Sequence, residues 1–356
     1  GGTGGHLFPA MALAQELRRR GHSIHLMTDH RVTGYGDSFP ADKTHIVPSA
    51  TPSVRNPVRF VVAGLTIVWG IAVAAVRLLG IKADAAIGFG GYPVYPPFVA
   101  ASLIGLPGIL HEQNAVMGRA NRALAGRARV VALSFRDTAK ADTFRAKSVV
   151  TGNPVRDRVR NVSSAPYPAT GENLRLLVFG GSQGARAFAD LVPAAIAALP
   201  PDLRGRLRVT QQCRPEDLDR VAEAYRRAKV NVELASFFDD LPERMAQSHL
   251  VICRSGASTV AELAIIGRPA ILVPLPGSID ADQRNNALVF ETAGGGWVSE
   301  QATLSPDSLA TRLTGLLGEP ERMVKAAASA ASLGQPRAVE MLAELAEALA
   351  SGGKTK

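Results

Sequence analysis

The chain repeats one pattern of apolar and polar positions along most of its length. A short apolar run is followed by a glycine cluster and then by residues with helical periodicity. The apolar runs lie at 23–27, 85–87, 174–179 and 250–253. We expect each run to be a strand, and strands that alternate with helices form parallel sheets. The pattern therefore predicts the α/β fold class.

The first helix is bounded by residues with clear positional preferences. Proline suits the first turn of a helix and cations stabilise its C-terminal end, so the helix is predicted to run from about Pro9 to the arginines at 18–20. Gly21 is the expected stop signal.

The length of 356 residues predicts about two domains, at roughly 150 residues each. Residues 151–173 contain proline, serine, glycine and charge without apolar periodicity, which predicts an interdomain linker. Both halves open with a glycine-rich loop, at 1–5 and 180–184, so two nucleotide-fold domains facing one cleft are the simplest architecture. The predicted ranges are 1–155, 156–335 and a C-terminal helical segment, 336–356.

Composition narrows the class of protein. Hydrophobic residues at 46% and charged residues at 20% are typical of a globular chain. Cys213 and Cys253 are the only cysteines, which excludes a disulfide framework and a multi-cysteine metal site and favours a reducing compartment. A net charge of +9 favours anionic partners, which include nucleic acid, acidic lipid and phosphorylated substrates.

Residues 60–76 form a long uncharged stretch with two interpretations. As a helix its 17 residues would reach about 25 Å, short of a hydrocarbon core of about 30 Å. It could be a membrane-facing patch containing Phe60 and Trp69, or a helix buried against the sheet. The cations that flank it are Arg55, Arg59, Arg77 and Lys82. We expect one face to be packed and the other exposed.

The glycine loops are candidate phosphate sites, because glycine lets backbone amides approach a phosphate at a helix N-terminus. None completes a P-loop, since Gly184 is followed by Ala185 and Arg186, which argues against an ATPase. The spacing GGTGGH at 1–6 also departs from GxGxxG, which disfavours a nicotinamide enzyme.

Two segments hold polar side chains at such positions. In 253–262 (CRSGASTVAE), Ser258 and Thr259 precede Glu262 by three or four residues, which indicates either a capping box or a carboxylate that binds ribose hydroxyls. In 111–114 (HEQN), polar residues end an apolar strand, where open α/β sheets bind ligands.

Two histidines and one pair of aspartates are further candidates for chemistry. His6 closes the first loop at a helix N-terminus, where the dipole favours neutral, base-competent imidazole. His111 is either a ligand contact or a packed core residue. Asp280 and Asp282 are interpreted as parts of a solvated loop rather than as metal ligands.

Together these segments resemble the MurG-type transferases, which add N-acetylglucosamine from UDP-N-acetylglucosamine to a lipid-linked muramoyl-pentapeptide in peptidoglycan synthesis. The matching segments are GGTGGHLFPA at 1–10, GFGGYPVYPP at 88–97, HEQNAVMGRANR at 111–122, TGNPVR at 151–156, VFGGSQGARAFAD at 178–190, CRSGASTVAELA at 253–264 and DQRNNA at 282–287.

The resemblance implies a GT-B architecture. Two Rossmann-like domains with parallel sheets would surround a central cleft, with an acceptor and membrane-facing domain first, a UDP-sugar domain second, and the C-terminal helix returning to the first. The family also has an apolar strand directly before the first glycine loop. That strand is absent here, so a central strand is expected to be missing from the first sheet.

The resemblance also implies a set of donor contacts. Expected to bind UDP-N-acetylglucosamine are Thr3, Gly4, Gly5, Asn114, Arg156, Ser182, Phe238, Ala257, Ser258, Thr259, Val260, Ala261, Glu262 and Gln283. Glu262 would bind the ribose. Phe238 stands where an aliphatic residue is common, and the loop before Gln283 is longer than usual.

The implied mechanism is inverting transfer without a metal or other cofactor. His6 is the candidate base that removes the proton of the muramoyl 4-hydroxyl, with Glu112 as the second candidate or as an orienting partner. Glycine-loop amides, helix ends and Arg156 would stabilise the leaving UDP. The expected partners are UDP-N-acetylglucosamine, the undecaprenyl-diphosphate-linked acceptor and an anionic membrane surface, at the cytoplasmic face of the bacterial membrane, with no nucleic acid.

Two alternatives remain open at this point. The first is another GT-B enzyme acting on UDP-sugars, such as a lipid glycosyltransferase or a 2-epimerase. The second is a basic binding protein for nucleic acid or membrane with a degenerate nucleotide fold, although aromatic residues at 5% do not supply a stacking surface for nucleic acid.

Overall fold

A computed structural model of the chain describes residues 4–30, 39–51, 56–169, 171–181 and 186–352. The described residues form two compact units. Unit 1 comprises the chain up to Arg156 together with the residues from Gln335 onward, and unit 2 comprises Asp157–Gly334.

Unit 1 contains parallel strands and the helices that cover them. Its elements before the crossing to unit 2 are α1 (Gly4–Arg19), β1 (His25–Thr28), β2 (Lys43–Ile46), α2 (Pro57–Ile81), β3 (Ala86–Gly88), α3 (Tyr95–Leu103), β4 (Gly108–Glu112), α4 (Arg119–Ala125), β5 (Val130–Leu133) and β6 (Ser148–Val150). β3, β4, β5 and β6 form one parallel sheet in that order, and β1 pairs with β2 in another.

Among the described residues, β1 and β3 are not hydrogen-bonded to each other. A cavity of about 320 Å³ lies between them, lined among others by Leu26 of β1, Ile87 of β3 and Leu13 of α1.

The start of α1 corrects one prediction. The helix begins at Gly4, so Pro9 lies inside it rather than at its first turn. The hydrogen bond that Pro9 cannot donate would go to the carbonyl of Gly5, in the exposed first turn, where water can replace it. The C-terminal end at Arg19, before Gly21, agrees with the prediction.

The longest helix, α2, is half packed and half exposed, as the sequence predicted. Its side against unit 1 carries Ala63, Gly70, Ala74 and Leu78. A Cβ on Gly70 would clash with the carbonyl oxygen of Pro48, so only glycine allows this approach. The exposed apolar side carries Val58, Phe60, Val61, Val62, Leu65, Val68, Trp69, Val76 and Leu79.

The prediction about the length of this segment was wrong. α2 has 25 residues, which gives about 37 Å, because the helix continues through the cations at both ends of the apolar stretch. Its length and the mean hydropathy of 2.1 over its most apolar 18 residues would allow it to cross a bilayer, although 22% of that window is buried inside the protein.

Unit 2 is one six-stranded parallel sheet with helices on both faces. Its elements are α5 (Asp157–Asn161), β7 (Leu174–Phe179), α6 (Arg186–Ala197), α7 (Pro201–Arg206), β8 (Leu207–Gln212), α8 (Leu218–Arg227), β9 (Asn231–Ala235), α9 (Leu241–Gln247), β10 (Leu250–Cys253), α10 (Ala257–Ile266), β11 (Ala270–Leu272), α11 (Asp282–Thr292), β12 (Gly296–Val298), α12 (Pro306–Leu317) and α13 (Pro320–Ser332). The strand order β9-β8-β7-β10-β11-β12 is that of a dinucleotide-binding fold, whose switch point lies between β7 and β10.

The predicted linker is partly a packed segment of unit 2. The Tyr167 hydroxyl donates to the carbonyl of His249 at 2.9 Å, and the buried Arg268 donates to the carbonyls of Ala165 and Pro166. The sequence pattern missed this, because these contacts use main-chain carbonyls and one aromatic ring rather than a periodic apolar face. The final helix, α14 (Ala338–Ala350), packs against α1 in unit 1, where Arg20 pairs with Glu347 at 2.8 Å.

Candidate active site

The first candidate site, in unit 1, centres on the imidazole of His6 at the start of α1. The ring is half-buried and lies against the glycines of the loop that follows β3. A Cβ on Gly90 would be 3.4 Å from Cε1 of the ring, and a Cβ on Gly91 would be 3.2 Å from its Cδ2. Both glycines have positive φ, at 80° and 74°, so the loop depends on glycine for its backbone conformation as well as for space.

A chain of hydrogen bonds ties this ring to the end of β4. Nδ1 of His6 lies 3.0 Å from Oε1 of Gln113. Nε2 of Gln113 lies 2.9 Å from Nδ1 of His111 and 2.9 Å from the carbonyl oxygen of His111. Nε2 of His111 in turn lies 2.9 Å from the carbonyl oxygen of Gly152. The chain therefore runs from the start of α1 through HEQN to the segment after β6.

Glu112 is buried and its carboxylate is fully engaged. Oε1 accepts from the backbone N–H and the side-chain amide of Asn114, at 3.0 and 3.1 Å. Oε2 accepts from the backbone N–H of Gly118 at 2.9 Å and from the side chain of Asn121 at 2.8 Å. These four bonds shape the loop that follows β4, an arrangement that fits the orienting role expected for Glu112 better than that of a base.

Burial sets the protonation of both histidines. It lowers the pKa of His6, an effect that the hydrogen bond to Gln113 and the charge of Glu112 partly oppose. Burial lowers the pKa of His111 to about 4, although the hydrogen bond to Gly152 opposes the shift. Both rings are therefore neutral at pH 7.

The remaining donor residues expected in unit 1 lie around α1 or outside the described residues. Gly4 and Gly5 form the first residues of α1. The guanidinium carbon of Arg156 lies 4.2 Å from the centroid of the Phe8 ring, so α1 also positions this cation. Thr3 lies outside the residues that the structure describes.

The second candidate site, in unit 2, is the start of α10 at the end of β10. α10 begins at Ala257 with Gly256 as its N-cap and without a side-chain capping bond. The capping-box interpretation of Ser258, Thr259 and Glu262 is therefore wrong, because both hydroxyl residues lie inside the helix instead of at its N-cap. The first-turn N–H groups of α10 are left for another acceptor.

Burial and hydrogen bonding distinguish the side chains of this segment. Glu262 is 6% exposed, one turn inside the helix. The Oγ atom of Ser258 is buried and has no hydrogen-bond partner among the described residues. Ala257, Thr259, Val260 and Ala261 complete the two turns. β10 pairs directly with β7, so α10 starts at the switch point of the sheet, the usual ligand position in this fold.

α11 supports the same loop. Oε1 of Gln283 accepts from the N–H of Leu275 at 3.0 Å, and the carbonyl of Gln283 accepts from the Ser255 hydroxyl at 2.8 Å. The ring of Phe238 is buried beneath the guanidinium of Arg244, whose carbon lies 4.3 Å from the ring centroid. The main chain of Phe238 is therefore left for the contact with uracil that the resemblance implies. Ser182 lies outside the described residues.

The acidic loop before α11 has an irregular backbone. Asp280 and Ala281 have positive φ, and Asp282 accepts from the backbone N–H of Gln283 at 2.7 Å. Across the part of the chain that the structure describes, no group of three or more His, Cys, Asp and Glu side chains could hold a metal ion.

Sequence reasoning missed Gln113 and Asn121 as members of the site, although both lie in the quoted HEQN and GRANR segments. Gln113 contacts a ring that is 107 positions away in sequence, and Asn121 contacts Glu112 from α4. The available signal was the density of amide side chains directly after a buried strand.

Two α/β units with parallel sheets agree with the GT-B architecture of glycosyltransferases. Comparison with known proteins identifies the group: the chain belongs to glycosyltransferase family 28, whose N-terminal domain model matches residues 1–133 and whose C-terminal domain model matches residues 175–343.

Relatives and solved structures show which members of the family the chain resembles. It is 52% identical over 355 residues to the UDP-N-acetylglucosamine–N-acetylmuramyl-(pentapeptide) pyrophosphoryl-undecaprenol N-acetylglucosamine transferase of Mesorhizobium japonicum, covering 99% of this chain and 94% of that protein. The crystal structure of Acinetobacter baumannii MurG has a TM-score of 0.80 and 28% identity, covering 97% of this chain and 96% of that one. A UDP-GlcNAc 2-epimerase from Neisseria meningitidis has a TM-score of 0.64 at 14% identity, covering 95% of this chain and 96% of that one, a likeness of fold alone. The resemblance to the MurG-type transferases is confirmed.

Proposed function

We propose that this enzyme transfers N-acetylglucosamine from UDP-N-acetylglucosamine to the 4-hydroxyl of a lipid-linked N-acetylmuramoyl-pentapeptide, with inversion and without a metal ion. The observation that carries the proposal is 52% identity along nearly the whole chain to a transferase of that name. Through this reaction the enzyme would contribute to peptidoglycan synthesis, and thereby to cell shape and division.

His6 is the base in this proposal. It takes the proton of the acceptor hydroxyl as that oxygen attacks the anomeric carbon, and the bond from the anomeric carbon to UDP breaks with its electron pair leaving on the diphosphate. The neutral ring at pH 7 and its half-buried position support this role. Glu112 holds the loop that carries Gln113 and Asn114.

The nucleotide is bound by the main chain of unit 2. The N-terminus of α10 directs N–H groups and about half a positive charge toward a diphosphate, and Glu262 lies one turn inside, where a ribose would bind. Ser258 offers a buried hydroxyl to the same ligand. Arg156 is the cation that the resemblance assigns to the developing charge of UDP.

A product assay tests the reaction. The chain is incubated with UDP-N-acetylglucosamine and a short-chain lipid acceptor, and the products are separated by mass and by sugar identity. We expect a disaccharide lipid that forms only with the acceptor. Conversion of the donor to its 2-epimer without acceptor would overturn the proposal in favour of the epimerase alternative.

We also propose peripheral binding at the cytoplasmic face of the bacterial membrane through the exposed side of α2. Phe60 and Trp69 are 49% and 64% exposed, and the cations Arg59, Arg77 and Lys82 are exposed beside them. Apolar side chains bordered by cations bind anionic bilayers, with about 1 kcal/mol for each basic residue near the surface. Arg55 lies outside the described residues.

Flotation with vesicles rich in anionic lipid tests this surface. Replacing both Phe60 and Trp69 by Ser should release most of the protein from the vesicles. The matched control is Leu103→Ser, which removes an apolar side chain that is 67% exposed on α3. Equal flotation of the double variant and the control would refute the surface.

A further inference from the structure

The hydrogen bonds around His6 determine where its proton lies. The chain of bonds begins at the carbonyl of Gly152, which lies 41 residues after His111 in the sequence. A carbonyl oxygen only accepts, so Nε2 of His111 must carry the proton that forms the 2.9 Å bond. The ring of His111 is neutral at pH 7 because burial lowers its pKa to about 4. Its Nδ1 atom is therefore an unprotonated acceptor.

The amide of Gln113 has only one chemically consistent orientation. Its Nε2 atom is 2.9 Å from two acceptors, Nδ1 and the main-chain oxygen of His111. The two amide hydrogens satisfy both. The flipped amide would place Oε1 against a carbonyl oxygen and an imidazole lone pair, and would lose both hydrogen bonds. Oε1 of Gln113 therefore faces His6.

The orientation of Gln113 in turn fixes the proton of His6. Oε1 of Gln113 only accepts, so Nδ1 of His6 donates in the 3.0 Å contact. A neutral imidazole has one proton, and with that proton on Nδ1 the Nε2 atom carries a lone pair. On the Nε2 side, a Cβ at Gly91 would come within 3.5 Å of this atom, so the absence of a side chain keeps space beside it.

We propose that Gln113, oriented by His111, is a positioning residue that holds His6 in the Nδ1–H tautomer and so makes Nε2 the atom that takes the proton of the acceptor hydroxyl. The proposal rests on the proposed function of His6 and assigns it a specific atom. When Nε2 takes the proton, Gln113 still accepts from Nδ1, so the positive ring keeps its hydrogen bond through the reaction. The Phe89 carbonyl and the Glu112 carboxylate also favour the protonated ring.

The tautomers can be read without any substrate. In the full chain labelled with ¹⁵N-histidine, two-bond ¹H–¹⁵N spectra at pH 7.5 distinguish Nδ1–H from Nε2–H rings, and His6→Gln and His111→Gln assign the signals. We expect opposite tautomers: Nδ1–H for His6 and Nε2–H for His111. An Nε2–H ring at His6 would overturn the proposal.

Substitution of Gln113 tests the link to turnover. Gln113→Met removes the acceptor without adding charge, so His6 should become a mixture of tautomers and kcat should fall about tenfold, with the KM for UDP-N-acetylglucosamine changed less than twofold; general bases contribute about 10²–10⁴ in rate. An unchanged tautomer together with unchanged kcat would overturn the proposal.

Gln113→Glu gives a second readout. It keeps an acceptor for Nδ1–H but adds a negative charge, which raises the pKa of His6, so the acid limb of kcat/KM against pH should move upward by about one unit. An unmoved acid limb would count against the proposal.

Gln211→Met is the matched control, because Gln211 is another fully buried glutamine with two side-chain hydrogen bonds, to Phe188 and Tyr225 in unit 2. It should lower the stability of the protein but leave the His6 spectrum and the acid limb unchanged.

If His6→Gln retains turnover, the proposed base is wrong. The wild-type spectrum separately shows whether the chain of hydrogen bonds from His111 through Gln113 to His6 exists.

Discussion

His6 in unit 1 and Ser258 in unit 2 both lie in the first turn of a helix, but their surroundings are opposite. Nδ1 of His6 is bound by an amide that is itself held at two points. Oγ of Ser258 is buried without a hydrogen-bond partner among the described residues. The first turn of a helix therefore carries a side chain in a hydrogen-bond network in unit 1 and a hydroxyl without a protein partner in unit 2.

The difference follows from the chemistry proposed for each site. A base must keep its proton on one nitrogen between turnovers, which requires fixed partners before substrate arrives. A diphosphate brings its own acceptors, so the Ser258 hydroxyl needs no protein partner before the ligand binds. In this proposal, unit 1 is prepared for proton transfer and unit 2 for ligand binding.

Removing the base should give the largest effect. We expect His6→Ala to lower kcat about 10³-fold, within the usual contribution of a general base, while the affinity for UDP changes little. Steady-state kinetics with the lipid acceptor measure this. His22→Ala is the control, because His22 is exposed and pairs with Glu347 away from the site. Near-normal turnover of His6→Ala would show that His6 is not the base and would remove the difference proposed between the two units.

Acid should destabilise the closed network. The pKa of His111 falls from 6.5 to about 4 on folding, so as the pH falls below 6.5 the unfolded chain takes up a proton that the folded chain refuses. The free energy of unfolding should drop by about 3 kcal/mol between pH 6.5 and 4 from this group alone.

Urea denaturation across this pH range measures the drop, and above pH 6.5 the group adds no pH dependence. His111→Gln should reduce the slope of the free energy of unfolding against pH. Equal slopes for the variant and the wild-type chain would show that His111 titrates normally when folded.

Loss of the ribose carboxylate should act on binding instead. Glu262→Gln should weaken UDP binding about tenfold to a hundredfold, since hydrogen bonds to a charged group contribute about 1.5–3 kcal/mol. Calorimetric titration with UDP measures it. Glu291→Gln, whose carboxylate accepts from Val298 in the same unit, is the control. Unchanged affinity in Glu262→Gln would remove the carboxylate from the ligand site.

The smallest expected effect separates backbone strain from crowding. Gly91→Ala and Gly105→Ala both place a Cβ on a residue with positive φ, at 74° and 77°, but only the first meets the His6 ring. Both should lose about 1 kcal/mol of stability or more. We expect only Gly91→Ala to lose severalfold in kcat. Equal kinetics for the two variants would show that the loop does not crowd the ring.

The sequence predicted those features that depend on local composition. β7 and β10 begin and end where predicted, since each is a continuous apolar run bounded by polar residues or glycine. The starts of α1 and α2 were missed because helices continue through proline and charged residues when the backbone bonds can be satisfied otherwise. The chain of hydrogen bonds through Gln113 could not be predicted from the spacing of residues in the sequence, because it joins α1, β4 and the segment after β6.

The central claim is that the transfer proceeds with fixed hydrogen-bond donors in place of a metal ion. The direct measurement is the initial rate of disaccharide-lipid formation in excess EDTA, compared with the rate after magnesium is added back, with the new linkage assigned by NMR. We predict equal rates and a β-linkage, inverted from the donor. A rate that vanishes in EDTA and returns with magnesium, or an α-linkage, would contradict it.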